Sequence, residues 1–209
     1  MRNLPDACAP ALARLTAPPP PWAGLPAGRP AVMGIINATP DSFSDGGLHG
    51  GSNGALAAAR AMVAAGADVI DVGGESTRPG AAVVPPDEEM ARVLPVVRAL
   101  AAEGAAVSVD TRNAATMAAA LDAGARIVND VSALAYDPAA LPLVAARGCP
   151  VVLMHMRGVP ADMQDFTGYA DAPWDVTREL AARLDAAERA GIPRAAIALD
   201  PGIGFAKRT

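Results

Sequence analysis

The chain has 209 residues, 52% of them apolar, with a net charge of −5 and a pI of about 5.0. That is enough apolar sequence for one domain with a sizeable core. No basic block occurs, and Lys207 is the only lysine among 17 Lys and Arg, which excludes nucleic acid or an anionic membrane as an expected partner.

Two cysteines, Cys8 and Cys149, are too few for a disulfide framework and lack metal-ligand spacing. Met1-Arg2-Asn3 leads into no apolar leader, and no run reaches the roughly 18 apolar residues of a membrane helix. These features lead us to expect a soluble cytoplasmic protein.

Residues 1–30 read as an N-terminal extension. Leu4 to Leu15 suits a short helix, and Pro18 to Pro21 favour an extended polyproline segment lying across the bottom of the fold.

From residue 31 to 209 strands and helices alternate. Strand-like runs cover 31–36, 67–73, 105–110, 126–129, 150–154 and 196–200. Helical stretches cover about 53–65, 87–102, 112–123, 138–147 and 172–190. Asp110-Thr111 is placed to cap the third helix, and Pro138 suits a first turn. Ala-Gly pairs at 65–66, 123–124 and 190–191 suit helix ends. This pattern specifies βαβ units and a parallel sheet.

Such a sheet is either open and doubly wound or part of a (β/α)8 barrel. In an open sheet, ligand groups gather at one switch point, whereas a barrel collects them from many strand ends. Here Asn37, the Glu75-Ser-Thr-Arg78 segment, Asp110, Asn129-Asp130 and Asp200 all follow strands. No Gly-rich nucleotide fingerprint is present. We therefore expect an α/β TIM barrel, represented by about six of its eight strands.

The strand ends offer two chemistries. Asn37 presents an oxygen to a hard cation such as Mg²⁺, and Ser76-Thr77-Arg78 places hydroxyls and a guanidinium where phosphate oxygens could dock. The bland alternative for Arg78 is a surface ion pair. Asp110, Asn129 and Asp200 suit a flat heterocycle with adjacent N–H donors, because a buried carboxylate needs hydrogen bonds. Helix capping, or bonding to one another, is the alternative for these residues, least so for Asp200, which precedes Pro201 and Gly202. His155 has no visible partner, and Asp71 lies within a strand without an evident role.

Six ordered motifs carry a family resemblance over about 31–209. Asn37-Ala-Thr-Pro-Asp-Ser-Phe-Ser-Asp-Gly-Gly47 and Ala67-Asp-Val-Ile-Asp-Val-Gly-Gly-Glu-Ser-Thr-Arg-Pro-Gly80 come first. Ser108-Val-Asp-Thr111, Val128-Asn-Asp130, Leu153-Met-His-Met156 and Asp200-Pro-Gly-Ile-Gly-Phe-Ala-Lys207 follow. Together they resemble dihydropteroate synthase, a pterin-binding TIM-barrel family.

That resemblance implies condensation of 6-hydroxymethyl-7,8-dihydropterin pyrophosphate with 4-aminobenzoate. Asn37 would bind Mg²⁺–pyrophosphate beside a loop carrying Asp41, and Thr77 and Arg78 would hold the pyrophosphate. Asp110, Asn129 and Asp200 would recognise the pterin, with Met154 lining its pocket. Phe43, Pro79 and Phe205 would form the aminobenzoate site, where sulfonamides compete. Asp110, Arg78 and Asp200 would carry the catalysis. Family members commonly form homodimers, and they continue through two further βα units with a pterin-contacting lysine and an Arg-x-His segment, which this sequence does not contain. A non-catalytic pterin-binding relative, or a fragment that needs another chain to finish the barrel, is one competing reading and a folate-dependent methyltransferase another; the pyrophosphate-type first loop argues against the methyltransferase.

Overall fold

The computed structural model of the protein describes residues 21–39, 51–78 and 80–208. Six strands alternate with five helices: β1 (Met33–Asn37), α1 (Gly51–Ala64), β2 (Val69–Gly73), α2 (Pro86–Ala102), β3 (Val107–Asp110), α3 (Ala114–Asp122), β4 (Ile127–Asp130), α4 (Ala140–Arg147), β5 (Val151–Met154), α5 (Ala172–Arg189) and β6 (Ile197–Asp200). All neighbouring pairs are parallel, in the order β1-β2-β3-β4-β5-β6. Strand order that never reverses leaves no switch point and is the progression of a (β/α)8 barrel. Among the described residues β6 and β1 do not pair, so the sheet is an open barrel segment.

The strands form where the sequence runs apolar, because both of their faces are covered. All five residues of β2 are buried. The outer face is covered by amphipathic helices. In α2, Asp87, Glu88 and Glu89 lie in the first turn behind an N-terminal proline, which suits the helix dipole. Its Val93, Val96, Val97 and Leu100 pack on the sheet side. In α5, Asp171 caps the start by accepting from the Trp174 amide at 3.0 Å, and Val176, Leu180, Leu184 and Ala187 form the buried stripe.

A close approach fixes which face is which. A Cβ on Gly34 would lie 2.9 Å from Met62 Sδ of α1, so Gly34 faces the helices. Alternation then turns Met33, Ile35 and Asn37 to the barrel interior. Ile35 is 60% exposed there, since the inner face is open.

The helix-ending glycines behave as expected: Gly66, Gly124 and Gly191 have φ of 102°, 106° and 97°. The expected cap on α3 does not form. Its N-cap is Asn113, whose side chain makes no capping bond but donates from Nδ2 to Glu89 Oε2 at 2.9 Å, and the Ala114 amide instead donates to Asp137 Oδ2 at 2.8 Å from the next loop. Pro138 precedes the first turn of α4 rather than lying within it.

Residues 21–30 contain no regular element. Arg29 closes on Asp68, at the start of β2, through bonds of 2.7 and 2.6 Å. That guanidinium, with the Val32 amide, holds the Asp68 carboxyl down to about 2. Arg29 therefore ties the chain just before β1 to the N-terminal end of β2.

Candidate active site

Strand register sorts the strand-end residues into rows on the inner face. Asn37 pairs with Gly73, Gly73 with Asp110, and Asp110 with Asn129, so four strands contribute to one row. On the far side Met154 pairs with Asp200. Gly73 leaves a gap between Asn37 and Asp110: a Cβ there would lie 3.4 Å from Asp110 Oδ2. Of the expected residues, Asn37, Asp110, Asn129, Met154 and Asp200 lie at the C-terminal ends of their parallel strands. Phe43, Pro79 and Asp41 lie outside the described residues.

Asp110 is half-buried and has no hydrogen-bond partner among the described residues. Burial pushes its carboxyl well above the usual range, and the charges of Asp71, Asp130, Glu89 and Glu75 push the same way. It does not cap a helix. Asn129 donates from Nδ2 to Asp71 Oδ2 at 2.9 Å. Asp71, 2% exposed one row deeper, is itself raised by burial, against the pull of Ser108 and Asn129. Asp200 accepts the Gly202 amide on Oδ1 at 2.7 Å, a local turn that leaves its other oxygen for a ligand.

Asp130 serves the loop rather than the mouth. Its carboxylate accepts from Ser132 N, Ser132 Oγ and Leu134 N at 2.7, 2.6 and 2.9 Å. These bonds hold Ala133 and Leu134 at φ of 52° and 59°, conformations disfavoured for residues with a Cβ.

Above β2, Thr77 is half-buried and Arg78 exposed. The Arg78 side chain forms no ion pair among the described residues, and its backbone amide reaches Ser76 Oγ at 3.4 Å. The segment is anchored from below by Glu75, whose carboxylate takes two bonds from Arg112, at 3.1 and 2.9 Å, and one from the Val84 amide at 3.1 Å. Arg112 is 3% exposed and stacks 4.0 Å above the Tyr136 ring. Arg112, Ser132, Tyr136, Met156 and Val159 line a cavity of about 300 Å³. Phe205 sits half-buried in the turn after β6, its amide bonded to Gly202 O at 3.0 Å.

His155, without a partner in sequence, gains two in space. Glu179 Oε2 lies 2.9 Å from Nε2, and Lys207 Nζ lies 3.0 Å from Nδ1. Arg157 and Glu179 form an ion pair beside them. Sequence reasoning missed Arg112, Glu89 and Glu179 altogether. A polar residue inside an otherwise apolar strand, such as Asp71 or Ser108, was the available signal for the deeper row.

Asn37 is exposed, with no side-chain partner among the described residues. One neutral oxygen at the mouth fits a magnesium ion that takes its remaining ligands from water and substrate phosphates.

Comparison with known proteins agrees with this arrangement. A family model described as pterin binding enzyme matches residues 33–209. A probable bifunctional folylpolyglutamate synthase/dihydropteroate synthase of Haloferax volcanii is 55% identical over 177 residues, 85% of this chain and 21% of that protein. Dihydropteroate synthase of Escherichia coli is 48% identical over 179 residues, 85% of this chain and 63% of that enzyme. The structure of Xanthomonas albilineans dihydropteroate synthase with 4-aminobenzoic acid superposes with a TM-score of 0.81 at 49% identity, covering 87% of this chain and 64% of that one. The chain thus spans less than two thirds of these relatives, yet a match across residues 33–209 places it in the pterin-binding enzyme family.

Proposed function

We propose that this chain carries the pterin half of a dihydropteroate synthase site and works in the cytoplasm on 6-hydroxymethyl-7,8-dihydropterin pyrophosphate and 4-aminobenzoate. The observation that carries the reading is Asp110. It is a strand-end carboxyl without a hydrogen-bond partner among the described residues, raised by burial and neighbouring acids, and level with Asn129 in the strand register. Such a group is completed by a ring that brings adjacent N–H donors. The Xanthomonas albilineans neighbour solved with 4-aminobenzoic acid supports the choice of second substrate.

In this mechanism the bond between the pterin methylene carbon and the pyrophosphate oxygen breaks first, and pyrophosphate leaves with the electron pair. Arg78 and Thr77 take up the developing phosphate charge. Magnesium, held at Asn37, would supply further charge neutralisation when bound. Asp110 and Asp200 face the cationic pterin and stabilise it, while Met154 covers the ring. The arylamine nitrogen then attacks the carbon and loses a proton. No side-chain nucleophile is required. Pairing of two chains into a homodimer belongs to the same proposal.

The test is pyrophosphate release by the purified chain with both substrates and Mg²⁺, using Asp110→Ala as control. Release that requires aminobenzoate and disappears in the control is expected. A second reading is pterin binding without turnover. Tight pterin binding without any release would favour it. Preferential binding of methyltetrahydrofolate would overturn both.

A further inference from the structure

Lys207 is half-buried, with its ammonium among acceptors. Its Nζ lies 2.9 Å from Gly202 O, 2.8 Å from Phe205 O, 3.0 Å from His155 Nδ1 and 3.2 Å from His155 O. An ammonium has three donors and no lone pair, so these four acceptors surround it much as they would surround a small bound cation. Burial lowers the Lys207 pKa, Asp200 pulls it up and Arg157 pushes it down.

The geometry points to Lys207 as a positioning residue for pterin recognition: its ammonium clamps the loop after β6 to the end of β5 and holds His155 as its Nε2–H tautomer, so that Asp200 is presented to the ring in one orientation.

Each link is a hydrogen bond with a defined direction. Lys207 can only donate, so Nδ1 of a neutral His155 must be bare and the ring proton must sit on Nε2. There it donates to Glu179 Oε2 at 2.9 Å. Glu179 stays an acceptor because Arg157, followed by His155, holds its carboxyl down to about 2. On the other side, the clamped loop contains Gly202, whose amide fixes Asp200 Oδ1, while the His155 amide donates to Asp200 O at 2.9 Å. The two loops approach so closely that a Cβ on Gly202 would lie 2.1 Å from His155 O. The ammonium neutralises three carbonyl dipoles that converge at this contact. Removing it therefore frees the Gly202 turn, and with it the Asp200 carboxylate.

The inference that Asp200 meets a pterin rests on the proposed function; the clamp itself does not. We would measure three quantities on the full 209-residue chain and on Lys207→Met: the His155 tautomer by nitrogen-15 NMR, amide exchange at Gly202, and calorimetric binding of two separate probes, 6-hydroxymethylpterin and magnesium pyrophosphate. The wild-type chain should show the Nε2–H tautomer. In Lys207→Met the Nε2–H tautomer should persist, because Glu179 still accepts from Nε2, while Gly202 exchange should speed up about tenfold and pterin affinity should fall about tenfold with pyrophosphate affinity unchanged. An Nδ1–H tautomer in the wild-type chain, or unchanged Gly202 exchange in the variant, would overturn the clamp. Equal weakening of both probes would overturn the positioning role. Absence of pterin binding by the wild-type chain would sink the proposed function, and the NMR and exchange results would still decide the clamp. If Lys207→Met does not fold, Lys207→Gln, which keeps two N–H donors, is measured in the same way.

Discussion

The Asn129 amide reaches across β3 to donate to Asp71 Oδ2 at 2.9 Å, although 58 residues separate the two. Ser108 stands between them in register with Asp71, and its small side chain leaves the room. The bond uses one N–H of Asn129 and so fixes the orientation in which its amide would meet a ring edge. Asp71→Val should therefore lower pterin affinity about tenfold. Thermal stability at neutral pH should hold or rise, because the variant removes a carboxyl whose burial raises its pKa. Calorimetric titration and a melting curve check both halves. Loss of stability without loss of affinity would mean Asp71 serves packing alone.

Asp110 couples pterin binding to pH. Its folded-state carboxyl titrates well above the ordinary carboxylate range. Between the unfolded and folded pKa the native chain holds a proton that the unfolded chain does not, so this group favours folding at low pH. The benefit is lost as pH rises through the folded value. Ligand N–H donors favour the ionised form, so pterin binding should release a proton and strengthen as pH rises across that window. Asp110→Asn should abolish the proton release, weaken binding about tenfold or more, and raise the melting temperature at neutral pH by about 2–4 °C per kcal/mol gained. Titration in buffers of different ionisation enthalpy reads the proton directly. No proton release by the wild-type chain would refute the assignment.

The frame was legible because buried parallel strands must be apolar, so β2 to β6 stand out against Ala-Gly helix ends. Asp110 and Asp200 were legible for the converse reason, being carboxylates at the ends of such runs. What could not be read was pairing that depends on register or on loops folding back. Asn129 finds Asp71 only because strands two apart share the concave face, and His155 finds Glu179 and Lys207 only once α5 and the last loop pack against β5. The third helix shows the same limit. Asp110 and Thr111 look like its caps, but the chain runs on to Asn113, and Asp137 of another loop bonds the Ala114 amide, which leaves Asp110 free for the mouth.

The Glu75–Arg112 pair is buried on both sides, with side chains 10% and 3% exposed. Glu75 also holds the Val84 amide, so both ends of the segment carrying Thr77 and Arg78 depend on it. Arg112→Met should destabilise the fold by about 3–5 kcal/mol by stranding a buried carboxylate, and Arg112→Met with Glu75→Gln should recover most of that loss. A double-mutant cycle in denaturant measures the coupling. Additive effects of the two substitutions would show that the pair contributes packing rather than charge compensation.

Arg78 gives the opposite pattern. It is exposed and has no ion-pair partner among the described residues, so Arg78→Ala should leave stability within about 0.5 kcal/mol of the unaltered chain. If it meets the pyrophosphate, affinity for pterin pyrophosphate should fall about ten- to hundredfold, while affinity for the unphosphorylated pterin stays the same. The difference between the two ligands should also shrink with added salt, because an exposed guanidinium acts over a screened distance. Calorimetry with both ligands at low and high ionic strength separates these outcomes. Equal loss for both ligands would place Arg78 in the shape of the loop instead of at the phosphate.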